Sequence, residues 1–505
     1  MTKGFIYLVG AGPGRADLIT VRGAELLKKA DCIIYDKLAN PVLLKYARTG
    51  AEIIHVPKRI GKGSTTQEEI NRLLVRKAFE HRNIVRLKGG DPCIFGRISE
   101  EIEALNESGI DYEIVPGITA GVALSSYSGI MLTDRQYSSQ VTFITGHEAD
   151  GKTESNIDWN VLAQSNGTLV FYMGIGNLES IARNLIENGL APNTPAAIVS
   201  DITFPTQRIA KASLENIYQE CKRQKIEPPA LIIVGQAAQS NANLDWFMKQ
   251  SLFGKNILIT RDKKGNFEFA EKIISRGANP IPFDTIEIKP LTESNDFLYG
   301  LSKFNEYDWI IFTSKNGVKI FFGALEKLDK DARVFSNTKI ACIGSQTAEM
   351  LKQFGIKADF VPSVFTSEQF GKQLISFTNV NKKKILLLRS QIASNELVHI
   401  LTQANAQVHD LAIYTALTQN NNSTWLEEKI NNNKIDWVTF ASPSSVNGFF
   451  ENINCKIIKS NKIKIASIGP VTSKELEKYE LDIDVTANEH TLEGLLDSIE
   501  QIYKP

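Results

Sequence analysis

The second half of the chain repeats itself, and this repeat constrains the fold more than any other feature. Three segments recur in the same order: KNILITR at 255–261 as KKILLLR at 383–389, DWIIFTS at 308–314 as DWVTFAS at 436–442, and KIACIG at 339–344 as KIASIG at 464–469. Chance similarity between strands would not preserve order and spacing. The repeat therefore predicts a duplicated α/β unit over 255–505, with lobes at about 255–382 and 383–505 that face each other across a cleft.

The first half alternates short β-branched runs with amphipathic stretches, which is typical of α/β domains with parallel sheets. Strands are predicted at 5–9, 32–35 and 83–87, and helices at 21–30 and 66–80. A turn at 115–117 divides this half. We therefore expect one lobe at 1–115, a second α/β lobe at 116–245 and a polar linker at 246–254.

Composition excludes several classes of protein. Across 505 residues, 57 Lys and Arg balance 57 Asp and Glu, which argues against a general binder of nucleic-acid backbones. The five cysteines are scattered without a C-x-x-C pair, so neither a disulfide framework nor a thiolate metal site is expected. No signal peptide opens the chain, and no apolar run approaches the roughly 18–20 residues of a membrane span. We expect a soluble cytoplasmic protein that binds no nucleic acid, membrane or metal.

A glycine-rich turn follows the first strand, as Gly10-Ala11-Gly12-Pro13-Gly14. Glycines at such a turn let the backbone approach a ligand closely. The nicotinamide pattern G-x-G-x-x-G does not fit, because position 15 is Arg and Pro13 lacks an N–H for a pyrophosphate. Taken alone, this loop is equally compatible with a simple tight turn, and a nucleotide-dependent dehydrogenase stays open as an alternative.

A second candidate loop, RLKGGDPCIFGR at 86–97, begins at the end of a predicted strand. Ligands of open α/β sheets bind at the carboxyl ends of strands, so the position suits a binding loop. A plain Asp-Pro turn before a helix would explain Asp91 and Pro92. It would not explain the two adjacent glycines or the flanking Lys88 and Arg97.

These two loops belong to a longer series of blocks that resembles uroporphyrinogen-III C-methyltransferase. The other blocks are Tyr35-Asp36, Lys58-Arg59, 115–120, 127–130, 132–137, 145–147 and 171–174. The resemblance covers roughly residues 3–247 and implies a two-lobed tetrapyrrole methylase. Its implied reaction transfers methyl groups from S-adenosylmethionine to two pyrrole carbons, which yields precorrin-2.

The resemblance also implies site residues. The implied contacts of the methyl donor are Pro13, Gly89, Gly90, Asp91, Ile94, Thr119, Ala120, Met173 and, through its backbone, Ile202. Asp36 is the implied proton acceptor and Lys58 the implied proton donor; a carboxylate is sensible because a methylated ring carbon must lose a proton. By residue type alone, Asp36 equally fits a strand-end cap and Lys58 a surface charge. Arg135 is expected to pair with substrate carboxylates. Cys93 replaces the usual aromatic residue after Asp-Pro.

In the second half, four turns end strands with small hydroxyl residues, two in each repeat. These turns are 313–317, 343–347, 441–445 and 468–472. A helix N-terminus with free N–H groups and hydroxyls is a good carboxylate site, although a single Ser or Thr is more often an ordinary N-cap. Four related turns together predict a polyanionic ligand.

These turns, with Ala412-Ile413-Tyr414, resemble uroporphyrinogen-III synthase over roughly residues 254–505. The resemblance implies closure of hydroxymethylbilane to uroporphyrinogen III, with Tyr414 assisting loss of the hydroxyl group. The implied substrate-binding residues are Thr313, Ser314, Thr347, Ser442 and Thr472. No His/Asp or paired-carboxylate constellation accompanies them. Folding the reactive substrate correctly is therefore expected to supply most of the catalysis.

The two resemblances support each other, because the product of the second activity is the substrate of the first. We therefore predict a bifunctional enzyme for tetrapyrrole biosynthesis, toward sirohaem and cobalamin-type products. The methylase resemblance also implies a homodimer through that half. One alternative stays open: a methylase fused to a non-catalytic tetrapyrrole-binding sensor, because two-lobed α/β folds also bind ligands without chemistry.

Overall fold

The computed structural model describes residues 3–48, 50–56, 65–146, 156–239, 244–336 and 338–503. They form four five-stranded sheets covered by helices, which confirms the predicted α/β class. Among these residues, no helix combines the length and apolarity needed to cross a membrane.

The first sheet contains only parallel pairs and has the order β3-β2-β4-β1-β5. Its strands are β1 Phe5–Gly10, β2 Cys32–Asp36, β3 Glu52–Val56, β4 Asn83–Lys88 and β5 Tyr112–Val115, and its helices are α1 Val21–Lys29, α2 Gln67–Glu80 and α3 Ile98–Glu107. Thr66 and Glu69 form a capping box that starts α2. The predicted strands and helices of this region are confirmed to within one residue.

The second sheet is mixed and has the order β6-β7-β10-β8-β9. Its elements are α4 Ala120–Ser128, β6 Val141–Thr145, α5 Trp159–Ala163, β7 Thr168–Tyr172, α6 Leu178–Glu187, β8 Pro195–Ser200, β9 Arg208–Ser213, α7 Ile217–Arg223 and β10 Ala230–Val234. Only β6 and β7 pair in parallel, because β8 and β9 form a hairpin and β10 runs against both of its neighbours. The parallel pattern expected from the alternation thus holds for the first sheet and not for this one.

Aromatic side chains anchor the connection between the two halves. Trp246 donates its indole N–H to the carbonyl of Ser126 at 2.7 Å. Phe247 is fully buried, and its ring contacts Tyr127 edge-on at 5.0 Å and Phe253 at 5.4 Å between centroids. This segment therefore ties α4 of the first half to the second half through aromatic contacts.

The second half contains the two remaining sheets, ordered β12-β11-β18-β19-β20 and β13-β17-β16-β14-β15. Its strands are β11 Asn256–Ile259, β12 Asn279–Pro282, β13 Ile286–Pro290, β14 Trp309–Phe312, β15 Lys339–Cys342, β16 Lys384–Ser390, β17 Gln407–Thr418, β18 Trp437–Phe440, β19 Lys464–Ser467 and β20 Val485–Thr486. Its helices are α8 Lys263–Ser275, α9 Asn295–Ser302, α10 Lys315–Lys327, α11 Ser345–Lys352, α12 Ser367–Phe377, α13 Glu396–Gln403, α14 Thr424–Asn431, α15 Pro443–Asn452, α16 Cys455–Ser460, α17 Pro470–Glu477 and α18 Leu492–Gln501.

The prediction that each repeat forms one lobe, at 255–382 and 383–505, is wrong. Strand β11 of the first repeat pairs with β18 of the second, and β16 of the second repeat pairs with β14 of the first. The chain leaves one lobe after Thr285 and returns at Gln419, where the Gln419 N–H donates to the Thr285 carbonyl at 3.0 Å. We call residues 286–418 the inserted lobe and residues 256–285 with 419–503 the flanking lobe. The repeats do occupy matching strand positions. However, the first strand of each repeat, β11 or β16, lies in the sheet that holds later strands of the other repeat.

Candidate functional site

The two glycine loops of the first half meet above the carboxyl ends of β1 and β4. Gly12 and Gly90 exchange backbone hydrogen bonds, with N···O distances of 3.2 and 2.8 Å. A Cβ on Gly117 would lie 2.3 Å from the Gly90 carbonyl oxygen, so that position accepts only glycine. Beside Gly90 itself, a Cβ would meet only the Thr119 Cα, at 3.8 Å. The loops thus leave space for a ligand directly against their backbone.

Asp91 fixes the geometry of this loop. One carboxylate oxygen accepts the N–H of Cys93 at 2.8 Å, and the other accepts the N–H of Gly117 at 3.0 Å. Hydrogen bonds from two backbone donors to one carboxylate hold the turn in a single conformation. Asp91 therefore shapes the loop, and its contact with a donor stays a prediction.

Tyr172 links the two lobes of the first half at the same edge. Its hydroxyl lies 2.8 Å from the Thr119 hydroxyl and accepts the N–H of Gly121 at 2.8 Å. The neighbouring Met173 adopts a left-handed φ of 54° and remains 53% exposed. The Phe95 ring, next to Ile94, lies 5.0 Å from the Tyr172 ring. Tyr172 was not among the predicted site residues, although it lies in the block at 171–174 that resembles the methyltransferase.

The loop after β8 completes this edge. The backbone N–H of Arg15 donates to the Thr203 hydroxyl at 3.0 Å, and a Cβ on Gly14 would lie 2.4 Å from the Phe204 ring. The Ile202 side chain is buried in the core of the second lobe, so only its backbone is available to a ligand. The loops that carry the predicted donor contacts are thus joined by direct contacts, while the contacts with a donor stay predictions.

Asp36 ends β2 and belongs to a buried chain of charges that the sequence analysis missed. Arg86, which has no exposed surface, donates to an Asp36 carboxylate oxygen at 2.6 Å. The Arg86 Nε lies 3.3 Å from Glu101, and the Lys88 ammonium donates to the same Glu101 oxygen at 2.7 Å. Two cations at alternate positions of the apolar strand NIVRLK share one face of that strand, which signals a buried acid nearby.

Burial sets the electrostatics of this chain. Burial favours the neutral form of Glu101, but the charges of Arg86 and Lys88 outweigh it, so the pKa of Glu101 lies below its ordinary value. Burial also lowers the pKa of Lys88, although Glu101 opposes this effect. The other Glu101 oxygen, Oε2, is buried without a hydrogen-bond partner. These buried charges therefore pair two cations, Arg86 and Lys88, with two carboxylates, Asp36 and Glu101. The balance of charge depends on all four residues.

Two further residues of the predicted site remain, Arg135 and Lys58. Arg135 is exposed, in a turn closed by reciprocal backbone hydrogen bonds between Asp134 and Ser138. Lys58 falls outside the described residues. Their roles stay predictions.

In the second half, Tyr414 and Ser314 meet. Their hydroxyl oxygens lie 2.8 Å apart, and Ser314 also caps α10 by accepting the Gly317 N–H at 3.0 Å. Burial raises the pKa of Tyr414, against the smaller opposite effect of the Ser314 hydrogen bond. The phenol is therefore protonated at neutral pH and oriented by a neighbour. Thr313 precedes Ser314 directly and is half-buried.

The remaining predicted residues are divided between the lobes. Ser442 caps α15 in the flanking lobe through a capping box with Ser445. Thr347 and Thr472 lie within the first turns of α11 and α17, where they are 5% and 3% exposed and donate their N–H groups to glycine carbonyls at 3.1 Å. These two threonines are less accessible to a carboxylate than their sequence positions predict, because each turn closes on itself.

One group among the described residues could hold a metal: Cys32, Glu52 and His81 have ligand atoms within 4.8 Å of one another. However, Lys77 donates to both Glu52 oxygens at 2.8 Å, and a His81 nitrogen lies 2.7 Å from the same carboxylate. Burial raises the pKa of the Cys32 thiol to about 12. The group is therefore organised as an ion-pair cluster, and it lies at the amino ends of β2 and β3, opposite the glycine loops.

Two family models match the chain, one in each half. Tetrapyrrole (Corrin/Porphyrin) Methylases match residues 6–218, and Uroporphyrinogen-III synthase HemD matches residues 268–497. The uroporphyrin III C-methyl transferase of Thermus thermophilus, a solved structure, is 36% identical over 47% of this chain and 94% of its own, with a TM-score of 0.40. The two family models thus divide the chain into a half that matches tetrapyrrole methylases and a half that matches uroporphyrinogen-III synthase.

Two relatives that match across both halves of the chain specify its family. The porphyrin biosynthesis protein HemD of Ruminiclostridium josui is 38% identical over 502 residues, which covers 99% of each chain. The uroporphyrinogen-III C-methyltransferase of Bacillus subtilis (strain 168) is 38% identical over 70% of this chain and 72% of its own. The chain belongs to the family of these porphyrin-biosynthesis proteins, and the recognition of a methylase half and a synthase half from its motifs is confirmed.

Proposed function

We propose that this chain performs two consecutive reactions. The C-terminal half, from residue 255, closes hydroxymethylbilane to uroporphyrinogen III, and the N-terminal half, with lobes at 1–115 and 116–245, methylates that product twice to precorrin-2. The observation that carries the proposal is that models of both families match this one chain.

For the methylase reaction, the glycine loops supply a backbone surface for the donor. S-adenosylmethionine, when bound there, supplies the methyl group. The space beside Gly90 and the turn held by Asp91 suit a compact sulfonium more than an extended pyrophosphate. Loss of a proton from the methylated ring carbon needs a base. Asp36 takes this role in the proposal, with Arg86 fixing one of its carboxylate oxygens.

For the synthase reaction, the Tyr414 phenol donates its proton to the hydroxyl group that leaves the bilane, and the hydroxyl departs as water. Two features support this role: the burial of Tyr414 and the hydrogen bond with Ser314 that orients its hydroxyl group. Ser442 in the flanking lobe and Thr313 in the inserted lobe bind substrate carboxylates from opposite lobes. Holding the bilane ends together then supplies most of the acceleration.

The test supplies the full chain with hydroxymethylbilane, with and without S-adenosylmethionine, and follows isomer ratio and mass by chromatography and mass spectrometry. We expect the type III isomer without the donor and a doubly methylated product with it. Type I isomer alone, as in spontaneous closure, would instead indicate a sensor-like second half. Tight nicotinamide binding with no uptake of S-adenosylmethionine would indicate a dehydrogenase. Sedimentation of the same protein tests the homodimer that we propose through the methylase half.

A further inference from the structure

Three cations surround one carboxylate where the two lobes of the second half meet. Glu268 lies on α8 of the flanking lobe, and Lys315 and Lys319 lie on α10 of the inserted lobe. The Glu268 oxygens are 3.5 Å from the Lys315 ammonium and 3.3 Å from the Lys319 ammonium. Arg261, two residues past the end of β11, adds a third positive charge that interacts electrostatically with Glu268. A single acidic side chain therefore bridges the lobes.

Arg261 is the repeat counterpart of Arg389, and the two arginines have different partners. Arg389 donates from Nε to Asp410 at 2.5 Å, and its side chain is 6% exposed. Strand register places Asp410 beside Leu387, whereas the matching position beside Ile259 is Pro282. The acid that neutralises Arg389 is thus replaced by proline in the other lobe.

The positive charge of the Arg261 guanidinium is consequently balanced only weakly by nearby groups. Its Nη1 donates to the Gly265 carbonyl at a long 3.4 Å. The carboxylate of Asp262, next in sequence, accepts the Gly265 N–H at 3.1 Å as the cap of α8. Burial is the main cause that lowers the pKa of Arg261, and Asp262 and Glu268 oppose it. The arginine is therefore a partly buried cation that an additional anion would stabilise.

The lysines show the same excess of positive charge. Burial lowers the pKa of Lys315, Glu268 opposes this effect, and the charges of Arg261 and Lys319 reinforce it. The two contacts with Glu268 are longer than the roughly 2.7–2.9 Å of a strong charge-assisted hydrogen bond. Glu268 therefore shares its one charge among three cations and satisfies none of them closely.

We propose that Arg261, Lys315 and Lys319 form a subsite for one carboxylate of the linear tetrapyrrole substrate, and that Glu268 holds this subsite until the substrate displaces it. The inference rests on the synthase activity proposed above. A substrate carboxylate bound here contacts both lobes at once. Glu268 then lowers substrate affinity by competition, since its own bridge must break before the carboxylate enters.

The test measures kcat and KM for hydroxymethylbilane in the full chain. Glu268→Gln removes the competing charge, so KM should fall several-fold with kcat unchanged. Lys315→Met with Lys319→Met should raise KM by on the order of tenfold or more, about 1.4 kcal/mol per factor of ten. Lys327→Met, on the exposed end of the same helix, is the matched control and should leave KM unchanged. A circular dichroism spectrum that matches the wild type reports that each variant is folded.

The outcomes separate the two proposals. A wild-type chain that forms no type III isomer would overturn the proposed synthase function. An active wild type whose double lysine variant keeps its KM would overturn the subsite. An unchanged KM in Glu268→Gln, with a lowered melting temperature, would show that Glu268 only bridges the lobes.

Discussion

Glu101 offers the sharpest test of how the methylase half is built. Its buried carboxylate contacts Lys88 at 2.7 Å and Arg86 at 3.3 Å, and Arg86 in turn holds Asp36. Glu101→Gln preserves the shape of the side chain and removes its charge. Two desolvated cations then remain with one carboxylate, Asp36, between them.

The size of the effect follows from this imbalance. Removing one partner of a buried ion pair costs about 3–5 kcal/mol. Lys88 can relieve part of the cost by releasing its proton, because burial already lowers its pKa. We therefore expect a loss near 3 kcal/mol. Combining Lys88→Met with Glu101→Gln restores one cation to one carboxylate, so the double variant should lose about 1–3 kcal/mol less than the sum of the single variants.

Hydrogen exchange measured by mass spectrometry is the suitable assay. A chain with several cores has no single unfolding free energy, but exchange reports the opening of individual segments. Peptides that cover β4, Asn83–Lys88, should exchange on the order of 100-fold faster in Glu101→Gln, which corresponds to about 3 kcal/mol. Glu103→Gln, exposed on the same helix, is the matched control and should exchange as the wild type does.

Two results would refute the reasoning. Exchange of β4 that is unchanged in Glu101→Gln would mean that the buried charges contribute little to this strand. A double variant that is destabilised by the full sum, or by more, would mean that Lys88 and Glu101 act independently, which their 2.7 Å contact contradicts.

Three further predictions concern pH, the division of labour and thiol reactivity. Because folding lowers the pKa of Glu101, its stabilisation is present above its ordinary value of 4.5 and is lost as pH falls through the lower folded value. The protection of β4, which is the intrinsic exchange rate divided by the measured rate, should therefore fall more steeply on acidification in wild type than in Glu101→Gln, and parallel curves would contradict this. Asp36→Asn should slow methylation by about 10²–10⁴-fold and leave type III isomer formation intact, whereas Tyr414→Phe should do the reverse; equal loss of both activities in either variant would mean a structural role. Iodoacetamide should modify exposed Cys93 long before Cys342, because burial raises the pKa of the Cys342 thiol to about 12. S-adenosylhomocysteine should slow the reaction of Cys93. A reaction rate that this ligand does not change would place the methyl donor elsewhere.

The two glycine loops are the part of the candidate site that the sequence could locate, because each loop is a local feature. The loops at 10–14 and 89–91 each follow a strand directly, and parallel neighbours bring the carboxyl ends of β1 and β4 to one edge. The glycine motifs meet because β1 and β4 are neighbours in the sheet, and that order is a property of the tertiary structure. The charge chain was not predictable in this way. Glu101 lies on α3, and its approach to Arg86 depends on how that helix packs against the sheet.

By itself, the sequence determined which segments are strands, which are helices and which turns carry glycines or hydroxyls, because period, caps and backbone freedom are properties of neighbouring residues. Only the tertiary structure decided how the repeats pair. The apolar strands at 256–259 and 384–390 have nearly the same pattern, and either could fill the same place in a sheet. Their partners follow from the crossing of the chain at 285–286 and 418–419, where β13 runs against β17 and carries the chain into the other lobe. The register of β12 on β11 places Pro282 where the register of β17 on β16 places Asp410, so the charge left on Arg261 is visible only in the folded chain.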